Sequence, residues 1–246
     1  LNTTILTILT LFAAAAGAAA QPVSVAFDSK DPPFMFQGTD KTPQGLYPKV
    51  FAEVFRRMGV AVDLRAEPWK RALSGCDAGD NGVGGIYKTR EREAKYDYSA
   101  PYYQEHVAVY SLSAAHASFT KLEDLFGKRV AVIRGWSYGA AFDAAAKAGK
   151  IKTDESDGDG TSFKKLSLGR EDFVIAIVEA GDAEISSQGW DKTMERSATL
   201  LTTNDVFLVF NKSKQMKTIL AQFDSAVAAM KRDGTFQQIV KQAFSK

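Results

Sequence analysis

Residues 84–102 read Gly84-Gly85-Ile86-Tyr87-Lys88-Thr89-Arg90-Glu91-Arg92-Glu93-Ala94-Lys95-Tyr96-Asp97-Tyr98-Ser99-Ala100-Pro101-Tyr102. The order of residues predicts a glycine-opened strand end, a short charged helix and an exit turn. Thr89 is placed to cap the orphan amides of a helix starting at Arg90, and Glu91 and Glu93 suit the positive end of its dipole. Arg92 does not suit that end. A cation in a first turn opposes the dipole by roughly 0.3–1 kcal/mol, so it calls for a carboxylate neighbour or a bound anion. Both remain open at this level: a pair with Glu91, Glu93 or Glu105, or an anionic ligand.

Thr89-Arg90-Glu91-Arg92 followed by Asp97-Tyr98-Ser99-Ala100-Pro101-Tyr102 resembles the T-x-E-R…D-F-S-x-P-Y signature of the periplasmic solute-binding proteins of polar amino-acid ABC transporters. The resemblance implies an α/β fold of two lobes (type II periplasmic-binding-protein fold), two hinge strands and a ligand cleft between the lobes. It also implies that Arg92 grips a ligand α-carboxylate with its guanidinium fork, a task for which lysine is no substitute.

Leu1 to Ala20 contains no charged residue, an apolar run from Ile5 to Ala16, and Ala18-Ala19-Ala20 before Gln21. This pattern predicts a signal peptide over residues 1–20, cleaved on export to the periplasm, with a start truncated upstream of Leu1. The run is too short and alanine-rich for a membrane span. The full chain has 246 residues, 45% hydrophobic and 24% charged, with a net charge of +2. Such a balance points to a globular core and away from nucleic acid or a membrane surface. Cys76 is the only cysteine, which excludes an intramolecular disulfide and a cysteine zinc site. His106 and His116 lack a carboxylate triad and read as surface or hinge residues. No metal and no cofactor are expected.

Val23 to Phe27 reads as a buried strand leading into Asp28 and the Asp31-Pro32-Pro33-Phe34 loop, a candidate cleft wall because ligands of open α/β sheets bind beyond strand carboxyl ends. By resemblance, Asp28 lies near the ligand, and Asp31 replaces an aromatic, removing half of an aromatic sandwich and adding a carboxylate for a cationic group. The alternative is that both aspartates are turn residues before proline. Val50, Phe51, Val54, Phe55 and Met58 form one helical stripe ended by Gly59, and Pro68 opens a helix in which Trp69, Ala72, Leu73 and Cys76 share a face. Trp69 is either core or an aromatic wall of the site, and the wall is favoured. In the glycine-rich strand end, Gly85 permits close backbone approach, and Tyr87 replaces a small hydroxyl residue.

Val107 to Leu112 is expected to cross to the second lobe. Arg134-Gly135-Trp136-Ser137-Tyr138-Gly139 is expected to open a helix running to Lys147, with Ser137 as N-cap and the helix amides holding the other side of the carboxylate. Residues Thr153 to Gly160 read as an acidic surface loop, Phe163 to Arg170 as a short helix and Phe173 to Val178 as a buried strand. By resemblance, the aspartate with which amino-acid binders hold the α-ammonium would stand where this chain has Ile177, or Ser187 in a second register starting from Asp182; the first register is preferred because Ala183 to Ser187 is a poor strand, the aspartate is absent in both, and Glu179 is the nearest substitute. Val206 to Phe210 returns through the hinge, Ser213 caps the next helix, and Asp233-Gly234 separates it from a last one.

The domains expected are lobe 1 from residues 21–111 and 207–246, and lobe 2 from 112–206. The function expected is periplasmic capture of a small polar, amino-acid-like carboxylate by a monomer that serves an ABC permease. The candidate ligand-binding residues are Asp28, Asp31, Phe34, Trp69, Gly85, Tyr87, Arg92, Trp136, Ser137 and Tyr138. Rival readings are a dehydratase-like enzyme on the same fold and a ligand-sensing subunit of a membrane receptor. No serine or cysteine with a base and no recognisable acid/base pair supports the enzyme.

Overall fold

Short buried strands alternating with amphipathic helices build an α/β molecule, and a computed structural model describes residues 21–115 and 118–244. The expected leader over residues 1–20 and His116 lie outside these described residues. In chain order the strands and helices of the first half are β1 (Val23–Asp28), β2 (Lys30–Asp31), β3 (Met35–Gln37), β4 (Pro43–Gln44), α1 (Leu46–Met58), β5 (Val62–Glu67), α2 (Trp69–Ala78), β6 (Gly82–Ile86), α3 (Arg90–Lys95), β7 (Tyr96–Tyr98) and β8 (Tyr103–Leu112). The remainder are β9 (Arg129–Ile133), α4 (Ala140–Lys147), β10 (Lys152–Ser156), α5 (Asp159–Ser167), β11 (Phe173–Ile177), α6 (Val178–Ser187), β12 (Met194–Asn211), α7 (Lys217–Asp233) and α8 (Thr235–Phe244).

One mixed sheet runs β10-β9-β11-β8-β12-β6-β1-β5, with β7 paired to β12. Its halves have the same plan. In each, parallel strands (β5-β1-β6 and β10-β9-β11) end on an antiparallel strand, and the two long strands β8 and β12 pair with each other in the middle. Both faces of each half are covered. Val25, Phe27, Phe51, Phe55, Phe223 and Met230 form the largest core, and Trp69, Ala72, Cys76, Val83 and Phe207 fill the opposite face. Val130, Leu125, Phe142 and Ile175 occupy one face of the other half, and Tyr110, Phe163, Leu166 and Val174 the second. Burial on both faces is why β6 and β11 read as continuous apolar or glycine runs.

The α1 stripe enters the main core, where the Phe51 ring meets Phe27 at 5.0 Å and Phe223 at 4.9 Å, and Gly59 ends the helix in the left-handed conformation. Four expectations are corrected. Residues 153–160 are not a loop: β10 is an edge strand, exposed at Lys152 to Glu155, so polar side chains suit it, and α5 begins at Asp159. The returning strand starts at Met194, well before Val206, because its polar first part needs only β8 as a partner. Ser213 does not cap α7; Asn211 instead accepts from the Ser213 amide at 3.0 Å in a 3-10 turn, and α7 starts at Lys217. Val178, expected to end the buried strand, instead opens α6, whose Gly181 lets the Tyr110 ring sit against the helix.

Candidate functional site

Thr89 caps α3 as its sequence position predicts: its Oγ1 accepts from the Arg92 amide at 3.2 Å. The cap turns the Arg92 side chain toward the middle of the molecule. Nη1 donates to the Tyr87 carbonyl at 3.0 Å and Nη2 to the Gly135 carbonyl at 3.2 Å, across the gap between the two halves of the sheet. The acids that the sequence offers as its partners are engaged elsewhere. Glu91 pairs with Lys95, Glu93 with Lys88, and Glu105 accepts from two tyrosines. No salt bridge holds Arg92 among the described residues, and burial pulls its pKa down, the mark of a cation short of compensating charge.

Trp69 donates through Nε1 to the same Gly135 carbonyl at 3.1 Å, lies 6.0 Å from the Arg92 guanidinium, and meets Trp136 edge-on at 6.2 Å. Trp136 in turn donates to Asp28 Oδ2 at 3.1 Å. A small cavity is lined by Met35, Trp69, Gly85, Tyr87, Arg92, Glu105, Trp136 and Ser137. Gly85 is required there. Its φ is +79°, and a Cβ would stand 2.6 Å from Met35 Sδ, while its amide donates to the Tyr102 hydroxyl at 2.9 Å.

Three of the ten candidate residues have other surroundings than expected. Phe34 is fully buried in the main core against Tyr47, Tyr103 and Phe244, because it follows the Pro32-Pro33 turn inward. Tyr138 packs on Phe142, and its hydroxyl accepts from the Ile133 amide at 2.8 Å, closing the strand end on its own turn. Ser137 is no helix cap, since α4 starts only at Ala140. Its hydroxyl donates to Asp143, which also accepts from the Tyr138 amide at 2.9 Å, and Gly139 holds the N-cap position.

Asp28 and Asp31 are buried. Burial, offset in part by the Trp136 hydrogen bond, pushes Asp28 up to about 6. Asp31 is held well above the usual carboxylate range, through burial first and then the charges of Asp159, Glu105 and Asp28. Two of these acids were missed as site residues. Glu105 reads from sequence as a partner for Arg92, and the alternation of β8 puts it on the inward phase with Val107 and Val109. It accepts from the Tyr47 and Tyr87 hydroxyls, and burial raises it to about 7. Asp159 carried no local signal, because its acidic surroundings read as surface. Burial pushes it up to about 7 as well. Ile177 packs in the main core and offers no polar group, and Glu179 lies in the field of Glu105.

The described residues contain no group of three side chains able to hold a metal ion, and no helix among them is long and apolar enough to cross a membrane. Comparison with known proteins places this geometry. The L-cystine-binding protein TcyJ of Escherichia coli (strain K12) is 25% identical over 226 residues, covering 89% of this chain and 81% of that one. The crystal structure of a histidine kinase sensor domain with similarity to periplasmic binding proteins superposes with a TM-score of 0.81 at 19% identity, covering 91% of this chain and 96% of that one. An ancestral arginine-binding protein bound to arginine gives 0.79 at 23% identity, with 93% and 100% covered. At these identities the two structures show the fold alone, the two-lobe periplasmic-binding-protein architecture. Residues 23–246 match the family model described as bacterial extracellular solute-binding proteins, family 3, and the chain belongs to that family.

Proposed function

We propose that this solute-binding protein captures a small, amino-acid-like carboxylate in the cleft between its lobes and delivers it to an ABC permease of the inner membrane. In this reading residues 1–20 are a leader removed on export to the periplasm, residues 21–111 with 207–246 form one lobe, and 112–206 form the other. The protein works as a monomer, without cofactor and without turnover.

The observation that carries the reading is Arg92. A half-buried guanidinium with no carboxylate partner among the described residues spends its donors on one carbonyl from each side of the cleft, those of Tyr87 and Gly135. A ligand carboxylate gives the same fork charge-assisted, bidentate bonds, which are roughly twice as strong as neutral ones. Trp69 and Trp136 supply apolar walls beside it, and Gly85 lets the backbone come close. The cystine named in the E. coli relative and the arginine named in the ancestral structure are both amino acids, which agrees with a carboxylate as the shared group. Closure of two lobes over the bound solute is the motion such a cleft permits.

Thermal unfolding against a panel of amino acids and small carboxylates tests this. A ligand at one hundred times its dissociation constant adds about 2.7 kcal/mol, a rise of roughly 5–10 °C in a protein of this size. Arg92→Ala should abolish the rise. An equal response by wild type and variant removes the carboxylate assignment.

A further inference from the structure

The cavity beside Arg92 has no room for the body of the solute proposed above. Its volume is about 10 Å³, and a single water molecule needs roughly 10–15 Å³. A larger cavity of about 180 Å³ lies next to it. Trp69 is a wall of both, and Trp136, a wall of the first, donates at 3.1 Å to Asp28, a wall of the second. One indole and one side-chain hydrogen bond therefore stand between them. The larger cavity takes Lys30, Pro68 and Lys70 from one side of the cleft and Ile133, Arg134 and Ser156 from the other. Asp28, Ile133 and Ser156 are the last residues of the parallel strands β1, β9 and β10, the strand ends beyond which open α/β sheets bind ligands.

In this second cavity the acceptors are engaged and donors are left over. Asp28 accepts from the Lys30 amide at 3.1 Å with one oxygen and from Trp136 with the other. Asp157 meets Arg134 at 3.1 Å and Lys30 at 3.9 Å, and Arg134 also holds Glu155 at 2.9 Å. Lys70 is exposed at the rim and has no acidic partner among the described residues. Ser156 is only 3% exposed, and its hydroxyl has no hydrogen-bond partner in the protein. A buried hydroxyl in that state is uncommon in a native fold and calls for a partner from outside the chain.

We propose that this cavity takes a second, distal carboxylate of the solute, so that the protein selects elongated diacids with an apolar middle over monoacids of the same chain length. The proposal rests on the carboxylate reading of Arg92 for the other end of the solute.

A carboxylate is an acceptor-only group, which suits a site whose spare groups are an ammonium and a hydroxyl. A cationic end would find every carboxylate oxygen of Asp28 and Asp157 already occupied. Pro68, Ile133 and Trp69 give the methylene middle an apolar lining. Lys70 stands on α2 and Ser156 at the end of β10, so a carboxylate held by both bridges the cleft, and a diacid ties its sides together at two points.

Isothermal titration calorimetry on the full protein tests this with pairs that share a carbon chain: L-α-aminoadipate against L-norleucine, and L-α-aminopimelate against L-α-aminoheptanoate, with L-lysine as the cationic-ended control. Each diacid should bind roughly tenfold or more tightly than its monoacid and than lysine, the worth of a charged hydrogen bond. Lys70→Gln and, as a second variant, Ser156→Ala should cut that preference severalfold, and added salt should shrink it because Lys70 is exposed. A monoacid or lysine that binds as tightly as the diacids, no binding by either diacid, or a preference unchanged in both variants overturns the proposal. The wild-type comparison needs no variant to fold. If the diacids keep their affinity in Arg92→Ala and lose it in Lys70→Gln, the distal site stands and the Arg92 reading falls. If the monoacids match the diacids and require Arg92, the reverse holds.

Discussion

The cation and the acids of the cleft are placed in opposite ways. A single cation is placed by a local motif, in which Thr89 caps α3 and the cap directs Arg92 three residues later. Four carboxyl groups arrive from β1, β2, β8 and α5, far apart in the chain, and no local pattern links them. A capped turn makes its own energy and can be read as a unit. A cluster of like charges is opposed by every pairwise interaction within it, and it exists only because the packing of the surrounding core outweighs that repulsion. Proton retention is the compromise, visible in Asp28 held up to about 6 and Glu105 up to about 7, chiefly by burial.

The largest effect expected from breaking this contrast is at the seat of the acid side. Gly85→Ala combines a left-handed φ of +79° with a Cβ 2.6 Å from Met35 Sδ and 3.1 Å from the Tyr47 ring. Met35 pairs with Asp31 across the small β2–β3 hairpin, and Tyr47 donates to Glu105. Strain and overpacking together should cost about 2–4 kcal/mol in urea unfolding. A cost below about 1 kcal/mol means that the acids are loosely seated.

Next comes pH. Glu105 keeps its proton up to about 7 in the fold, against an ordinary 4.5, so between those values the folded state binds the extra proton. Its contribution to stability is complete below about 4.5 and is lost as pH rises to about 7, at about 1.4 kcal/mol per pH unit. Glu105→Gln should therefore flatten the fall of stability over pH 5 to 7 by about that slope. Denaturant titrations across this range check it, and equal slopes in both proteins count against a buried, uncompensated Glu105.

The cation side should respond less. Thr89→Ala loses the cap and about 1 kcal/mol, a drop of roughly 2–4 °C in Tm, with weaker ligand binding because Arg92 is less well aimed. Smallest is Glu91→Ala. Glu91 is 85% exposed on its side chain and stands 3.8 Å from Lys95, so removing this surface pair should change stability by no more than about 0.5 kcal/mol.

The uneven legibility of the site follows the same division. Arg92, Trp69 and Gly85 line one small cavity, and each is legible as a candidate because it sits at a fixed offset from a cap, a helix-opening proline or a glycine-rich strand end. Phe34 and Tyr138 were placed on the cleft although they are core, since an aromatic after a proline turn or a glycine looks the same whether its ring turns inward or toward a ligand. Ser137 looked like a cap because a hydroxyl after Gly-Trp is a normal helix opening; its hydroxyl instead donates to Asp143 inside the helix, and Gly139 holds the N-cap position. The acidic run at residues 153–160 suggested solvent, yet Asp159 is buried where α5 meets the cleft.

From sequence alone came the alternation of buried strands and amphipathic helices, the Thr89 cap with its arginine, and the likeness that predicted a two-lobe solute-binding fold. These depend on contacts within a few residues or on periodicity, which a linear chain displays directly. The meeting of Asp31, Glu105 and Asp159, and the sharing of the Gly135 carbonyl by Trp69 and Arg92, were decided by tertiary structure. Burial and charge repulsion depend on which distant segments the fold brings into one dry space, and no spacing along the chain records that distance.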